Sequence, residues 1–280
     1  MKSIAKLNLL DSKNISDVSS YTTATSSFQL EFASLDDMKF SSEWEKKYSK
    51  FNYNYNKFGF RMDSDEIPST TDIGIFGCSY CAGLGLPVDM LWHTLLAKQL
   101  NMSHLNFAMN GLSPKSIIDL FLIISKHVTM KHAILVLSPY MRLQIAKINA
   151  ETHKILYMSS AQSTDPMLKK YKVDVESLYK GTPEEDMYKN LRNDIYLAEK
   201  IAKERNIKIY LSAWDGNTYE FLKHMDLTSA VIIPQFGRVF DRFYKQYTET
   251  DIEKDLARDK SHLGPIHHEY WAEKTKEYIK

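Results

Sequence analysis

Thr71-Asp72-Ile73-Gly74-Ile75-Phe76-Gly77-Cys78-Ser79-Tyr80-Cys81-Ala82-Gly83 is an apolar run that stops at a glycine and continues into a small, polar turn. The first strand is predicted over 72–76. The same rhythm repeats downstream. Residues 90–100 have helical spacing of their apolar positions, and Gly83, Gly85 and Pro87 fill the connection to them. A second strand is predicted over 104–108, leading through Asn110-Gly111 to a helix that Ser113-Pro114 starts, with proline at its first position. That helix runs to about His127. Ala133-Ile134-Leu135-Val136-Leu137-Ser138 reads as a central strand ended by Pro139. A charged helix over 184–205 carries Leu197 and Ile201 at helical spacing, and strands follow at 207–212 and 231–233. A closing helix over 266–279 is expected to pack Trp271, Ala272 and Tyr278 on the sheet. Strands alternating with helices predict an α/β fold, a three-layer α/β/α sandwich with a central parallel sheet.

The chain has 280 residues, 44% of them hydrophobic, enough for one sizeable core with decorations. Lys plus Arg number 36 against 35 Asp plus Glu, scattered along the chain, so no footprint for nucleic acid is expected. The N-terminus is basic, but its apolar stretch is too short for a signal peptide, and no segment is long and apolar enough to span a bilayer. A cytoplasmic location follows as the expectation. Residues 1–69 are rich in Ser, Thr, Asn, Tyr and Lys and read as an irregular N-terminal extension packed on a main domain of residues 70–280. Within the extension, Phe51-Asn52-Tyr53-Asn54-Tyr55-Asn56-Lys57-Phe58 alternates aromatic and polar side chains as an edge strand does. A polar insertion is expected around 150–186, with a loop from Ser159 to Pro166.

Three residues carry the chemistry. Ser79 follows the first strand, and Asp259 and His262 stand near the C-terminus in Asp259-Lys260-Ser261-His262. A serine hydroxyl becomes a competent nucleophile when a histidine takes its proton and a carboxylate holds that imidazole in the right tautomer. Taken alone, Ser79 reads better as a helix N-cap, and Asp259 and His262 as a solvated loop that caps the last helix; their co-occurrence favours the nucleophile. The only cysteines, Cys78 and Cys81, exclude a disulfide framework and suit a reducing compartment. Their Cys-x-x-Cys spacing permits a thiol redox reading, but small buried fillers of a tight turn are expected. His262, His267 and His268 are read as no metal cluster, because adjacent positions on a helix face apart. Neither a metal nor a cofactor is expected.

These residues resemble the SGNH (GDSL-like) hydrolase family, whose fold is of flavodoxin-like type and whose nucleophile lies in the turn after the first strand. Gly77-Cys78-Ser79 is similar to its Gly-Asp-Ser block, with cysteine in place of aspartate. Asn106-Phe107-Ala108-Met109-Asn110-Gly111 is similar in spacing to the second block, which implies that the Gly111 N–H contributes to an oxyanion hole together with that of Ser79. Asp259-Lys260-Ser261-His262-Leu263-Gly264 matches the last block, which implies Asp259 as the orienting acid and His262 as the general base. The third block departs: where the family places an asparagine donor, this chain has Leu137-Ser138-Pro139-Tyr140-Met141-Arg142, leaving Tyr140 or Arg142 to stand in. The resemblance covers about residues 71–279 and implies a serine esterase acting on a small or carbohydrate ester, with short acyl groups preferred. The alternatives are an O-acyltransferase, a non-catalytic binding or structural module that keeps the fold, and, last, a thiol redox protein dependent on Cys78 and Cys81.

Overall fold

The computed structural model describes residues 53–56, 58–148, 155–160, 181–237, 255–257 and 262–279. Five parallel strands form the central sheet: β1 (Thr70–Gly77), β2 (His104–Asn106), β3 (Thr129–Leu137), β6 (Lys208–Ala213) and β7 (Val231–Ile232). Their order is β2-β1-β3-β6-β7, and every neighbouring pair is parallel. Between β3 and β6 the chain makes an antiparallel hairpin of β4 (Leu143–Ile148) and β5 (Ile155–Ser160). The helices are α1 (Ser79–Ala82), α2 (Trp92–Leu100), α3 (Pro114–Ile124), α4 (Glu184–Glu204), α5 (Gly216–Lys223) and α6 (Pro265–Lys276). The expected three-layer sandwich with a central parallel sheet is the observed architecture.

Alternation along β1 and β3 divides the core in two. Ile73 and Ile75 join Ile134 and Val136 on one face, where Trp92 and Leu96 of α2 and Trp271 and Ala272 of α6 cover them. Phe76 joins Ala133, Leu135 and Leu137 on the other, under Phe121 of α3, Ile195 of α4 and Leu222 of α5. Both faces of the central strands are therefore buried, which is why 133–138 has no polar alternation. The start of α3 is as the sequence predicts, with Ser113 as N-cap accepting from the Ser116 N–H at 3.1 Å and proline in the first turn.

Three expectations are corrected. The buried face of α4 is Leu191, Ile195, Ala198, Glu199 and Ala202, and Leu197 is 45% exposed. Glu199 is tolerated inside because the backbone N–H groups of Ser229 and Ala230 donate to it at 2.8 and 2.7 Å. Ser159 and Ser160, expected in a loop, end β5 and pair with Gln144 and Leu143; residues 161–166 lie outside the described residues. Tyr53 and Tyr55, expected on an edge strand, belong to no strand, and their rings stack at 6.2 Å as extended neighbours do. The rest of the expected extension up to residue 52, Lys57, and residues 161–180 of the expected insertion lie outside the described residues.

Two outcomes follow for stability. Gly83 and Gly111 both have φ of 77°. At Gly111 a methyl group meets nothing within 4 Å, whereas at Gly83 it falls 2.3 Å from Leu91 Cδ2. Gly111→Ala should cost about 1–2 kcal/mol through its left-handed backbone alone, and Gly83→Ala roughly 1–3 kcal/mol more through overpacking. Equal losses in chemical denaturation contradict this. The second outcome concerns pH. Burial holds His93 well below its ordinary 6.5, and burial with the neighbouring His267 and His262 lowers His268 to about 3. His268 Nδ1 accepts the Trp92 N–H at 3.0 Å, a role that only the neutral ring can fill. Unfolded imidazoles take up protons near 6.5 and these folded ones do so far lower, so this stability is fully present above 6.5 and is lost as pH falls towards 3. Denaturation midpoints should drop across that window, and His268→Gln should flatten the dependence; an unchanged slope in the variant contradicts the assignment.

Candidate active site

The order of strands reverses between β1 and β3, and in open parallel sheets the crevice beyond the strand ends at such a point is where ligands bind. Ser79 emerges there, two residues past the end of β1, after Cys78. The turn is tight for a reason legible in the sequence: a methyl group on Gly77 would stand 2.5 Å from Cys81 Sγ. Cys78 and Cys81 are both free and fully buried, and burial pushes the Cys81 thiol up, so neither offers an accessible thiolate.

Because α1 is a single turn, the carbonyls that follow it cannot be satisfied within a helix and need other donors. The Cys81 carbonyl accepts from the Asn106 side chain at 3.0 Å, with His93 Nε2 3.2 Å away. The next ones are served by Arg61, only 5% exposed, whose guanidinium donates to the carbonyls of Ala82, Gly83 and Leu86. Arg61 also lies over the Tyr53 ring at 4.6 Å, and the Tyr53 hydroxyl accepts the Gly85 N–H at 2.6 Å. The stretch 53–61 is thus fastened to the turn that carries Ser79.

The loop after β2 runs beside this turn. Phe107 N–H donates to the Ile75 carbonyl at 2.8 Å and Met109 N–H to the Gly77 carbonyl at 3.1 Å, continuing the ladder past the end of β2. Asn110 and Gly111 therefore emerge alongside Cys78 and Ser79. Leu112 is held from β3: its carbonyl accepts from Ser138 Oγ at 2.7 Å and from Arg142 at 3.4 Å. Of the two residues considered as stand-in donors, Arg142 thus touches this loop and also lies 5.9 Å from the centre of the Trp214 ring. The Tyr140 hydroxyl is committed elsewhere, donating to Glu184, while its ring stacks on Tyr188 at 4.2 Å.

His262 enters from the lead-in to α6. Its carbonyl accepts the Ala257 N–H at 2.8 Å, Leu256 and Leu263 form an antiparallel bridge, and the Gly264 N–H donates to the Asp255 carbonyl at 2.9 Å. Asp255 is buried and its carboxylate accepts from the His267 N–H at 2.9 Å and from His267 Nδ1 at 2.7 Å. At Gly264 a side chain would collide with that carboxylate at 2.4 Å, which explains the glycine two residues after the histidine. The Tyr80 ring meets the His262 ring edge to face at 5.1 Å and stacks on Trp214 at 4.9 Å. His262 thus packs against Tyr80, the residue after Ser79, and Gly111 lies in the loop beside that turn. Asp259 lies outside the described residues. No group of three His, Cys, Asp or Glu side chains is placed to hold a metal among those described.

Sequence reasoning missed Arg61 and Trp214, and neither carried a local signal.

No protein-family model and no curated protein matches the chain. Among solved structures it is similar to an acetyl xylan esterase from Butyrivibrio proteoclasticus, with 12% identity over 76% of this chain and a TM-score of 0.42; the match spans 64% of that protein. It is also similar to a putative lipolytic protein of the G-D-S-L family from Desulfitobacterium hafniense, with 12% identity over 76% of this chain and 100% of that one, at a TM-score of 0.45. A psychrotrophic esterase, EstA, from Pseudoalteromonas gives 13% identity over 75% of this chain and 98% of that one, at 0.44. These are likenesses of chain trace; the fold assignment rests on the order and direction of the strands.

Proposed function

We propose that the chain is a serine ester hydrolase with Ser79 as nucleophile, His262 as general base and Asp259 as the acid that orients it. The observation that supports this reading is the edge-to-face contact of the His262 ring with Tyr80, the residue that follows Ser79 in α1. In the reaction His262 takes the Ser79 proton as Oγ bonds to the ester carbonyl carbon, and the carbonyl π pair moves onto oxygen. The N–H groups of Ser79 and Gly111 receive that charge. Collapse expels the alcohol, which takes the proton from His262; water repeats the sequence on the acyl-enzyme and releases the acid. A sugar hydroxyl in place of water gives O-acyl transfer by the same steps.

The substrate we propose is a short acyl ester of a carbohydrate or similar small molecule. The stacked Tyr80 and Trp214 rings beside Ser79 support it, since aromatic faces suit the apolar faces of a sugar ring. The cytoplasm is the location we propose, in keeping with the two free thiols. One observation favours a second reading, a binding module that keeps the fold: the Tyr140 hydroxyl, considered as a stand-in oxyanion donor, is committed to Glu184.

Intact-mass labelling with a fluorophosphonate decides between them. An activated serine gives stoichiometric labelling that Ser79→Ala and His262→Ala both lose, and turnover of acetyl esters should fall by several orders of magnitude in either variant. A folded wild type that stays unlabelled contradicts the hydrolase reading and favours the binding module.

A further inference from the structure

The site corner holds a cation that the reaction steps above do not use. Arg142 Nη1 donates to the Leu112 carbonyl at 3.4 Å, one residue past Gly111. Its guanidinium also lies 5.9 Å from the centre of the Trp214 ring, which stacks on Tyr80 next to Ser79. Arg142 therefore touches both loops that pack beside the Ser79 turn. A guanidinium carries five N–H donors in a planar fork. Those not directed at Leu112 have no partner among the described residues and none of them is buried, so they are open to a ligand. Arg142 also lines a cavity of about 240 Å³ between the start of α3 and the first half of α4. Pro114 and Leu191 give this cavity an apolar side, and Lys115, Asn190 and Asp194 a polar one. Lys115 is already answered by Asp119 at 2.9 Å and by Asp194 at 3.6 Å, which leaves Arg142, among the described residues, as the lining cation without a carboxylate. A cavity smaller than the roughly 300–1,000 Å³ of a whole ligand pocket takes one part of a substrate. With a single uncompensated guanidinium, that part is best a monoanion whose two oxygens accept from the fork together, which is a carboxylate.

We propose that Arg142 is a specificity-determining residue that binds a carboxylate on the alcohol part of the ester, so that the substrate is a short acyl ester of a sugar acid. This rests on the hydrolase reading and narrows its substrate class. The carboxylate belongs to the alcohol part because the short acyl groups of that reading carry none.

The test uses the full-length chain and a matched pair of esters, the triacetate of methyl glucuronoside and that of methyl glucoside with its primary hydroxyl left free. The two differ only in a carboxylate against a hydroxymethyl group. Acetate release gives kcat/KM for each in wild type, Arg142→Gln and Arg142→Lys, with fluorophosphonate labelling and thermal melting alongside; mono-p-nitrophenyl succinate against p-nitrophenyl butyrate samples a carboxylate on the acyl side. A charge-assisted pair of this kind is worth about 10–100-fold, so wild type should favour the glucuronoside by that factor. In Arg142→Gln the two rates should come within about threefold of each other, and Arg142→Lys should fall between, since an ammonium keeps the charge and loses the fork. Taking the ratio within one variant cancels any general loss from the broken Leu112 contact. Methyl glucuronoside should also slow labelling of the wild type and not of Arg142→Gln. A wild type that labels yet cleaves the pair alike, or a preference that survives Arg142→Gln, overturns the proposal and leaves Ser79 as the nucleophile. A preference for the succinate ester alone overturns the placement on the alcohol part. An Arg142→Gln chain too unstable to assay leaves the decision to Arg142→Lys, where an undiminished preference overturns the role of the fork. A wild type that neither labels nor turns over overturns the hydrolase reading and the proposal with it.

Discussion

The Arg61 guanidinium, buried against the carbonyls of Ala82, Gly83 and Leu86, is the interaction on which the site corner depends. A strand that must expose a serine at its tip and then turn away leaves a knot of backbone carbonyls behind that tip. Residues 81–86 are all buried, so water does not serve those carbonyls. One planar fork of N–H donors answers three of them at once, which lysine, as a point charge, does not match. Removing it strands several buried acceptors and loosens the turn, and each such acceptor costs about 1–3 kcal/mol. Because Arg61 lies before β1 in the chain, the turn is held from a segment outside the strand–helix units it serves.

The remaining loops lean on one another in the same way. β3 is followed by Ser138, whose hydroxyl donates to the Leu112 carbonyl, and the Trp214 N–H after β6 donates to the Leu137 carbonyl at 3.2 Å. The Tyr140 N–H donates to Thr218 Oγ1 at 2.9 Å, joining the β3 loop to α5. His262 is presented by a small bridged loop that the Asp255–His267 contact clamps to α6. Rigidity at the strand tips thus comes from side chains capping backbone, on a sheet whose two faces are fixed by separate apolar layers.

The fold was legible because its signals are local. The apolar run at 133–138, the Ser113-Pro114 helix start and the glycine that closes β1 each follow from residues adjacent in the chain. The face of α4 was misread at Leu197, since two apolar residues at helical spacing do not say which side meets the sheet; Ala198 and Ala202 lie against it. The Tyr53–Tyr55 alternation was read as an edge strand, but it belongs to no strand, and the Tyr53 hydroxyl instead accepts from the Gly85 N–H of a distant turn. Ser79 stood out as the residue after a strand, and Gly111 and His262 through the resemblance of their blocks. Arg61 did not, because what marks it is its burial and the carbonyls it serves, both properties of the folded chain.

The most direct test of the central claim is a crystal structure of the protein after reaction with an organophosphonate. The account predicts phosphorus bonded to Ser79 Oγ, with a phosphonyl oxygen within hydrogen-bond reach of the N–H groups of Ser79 and Gly111 and His262 facing the adduct. An unmodified Ser79 in well-ordered crystals of the treated protein, or an adduct on another residue, contradicts it.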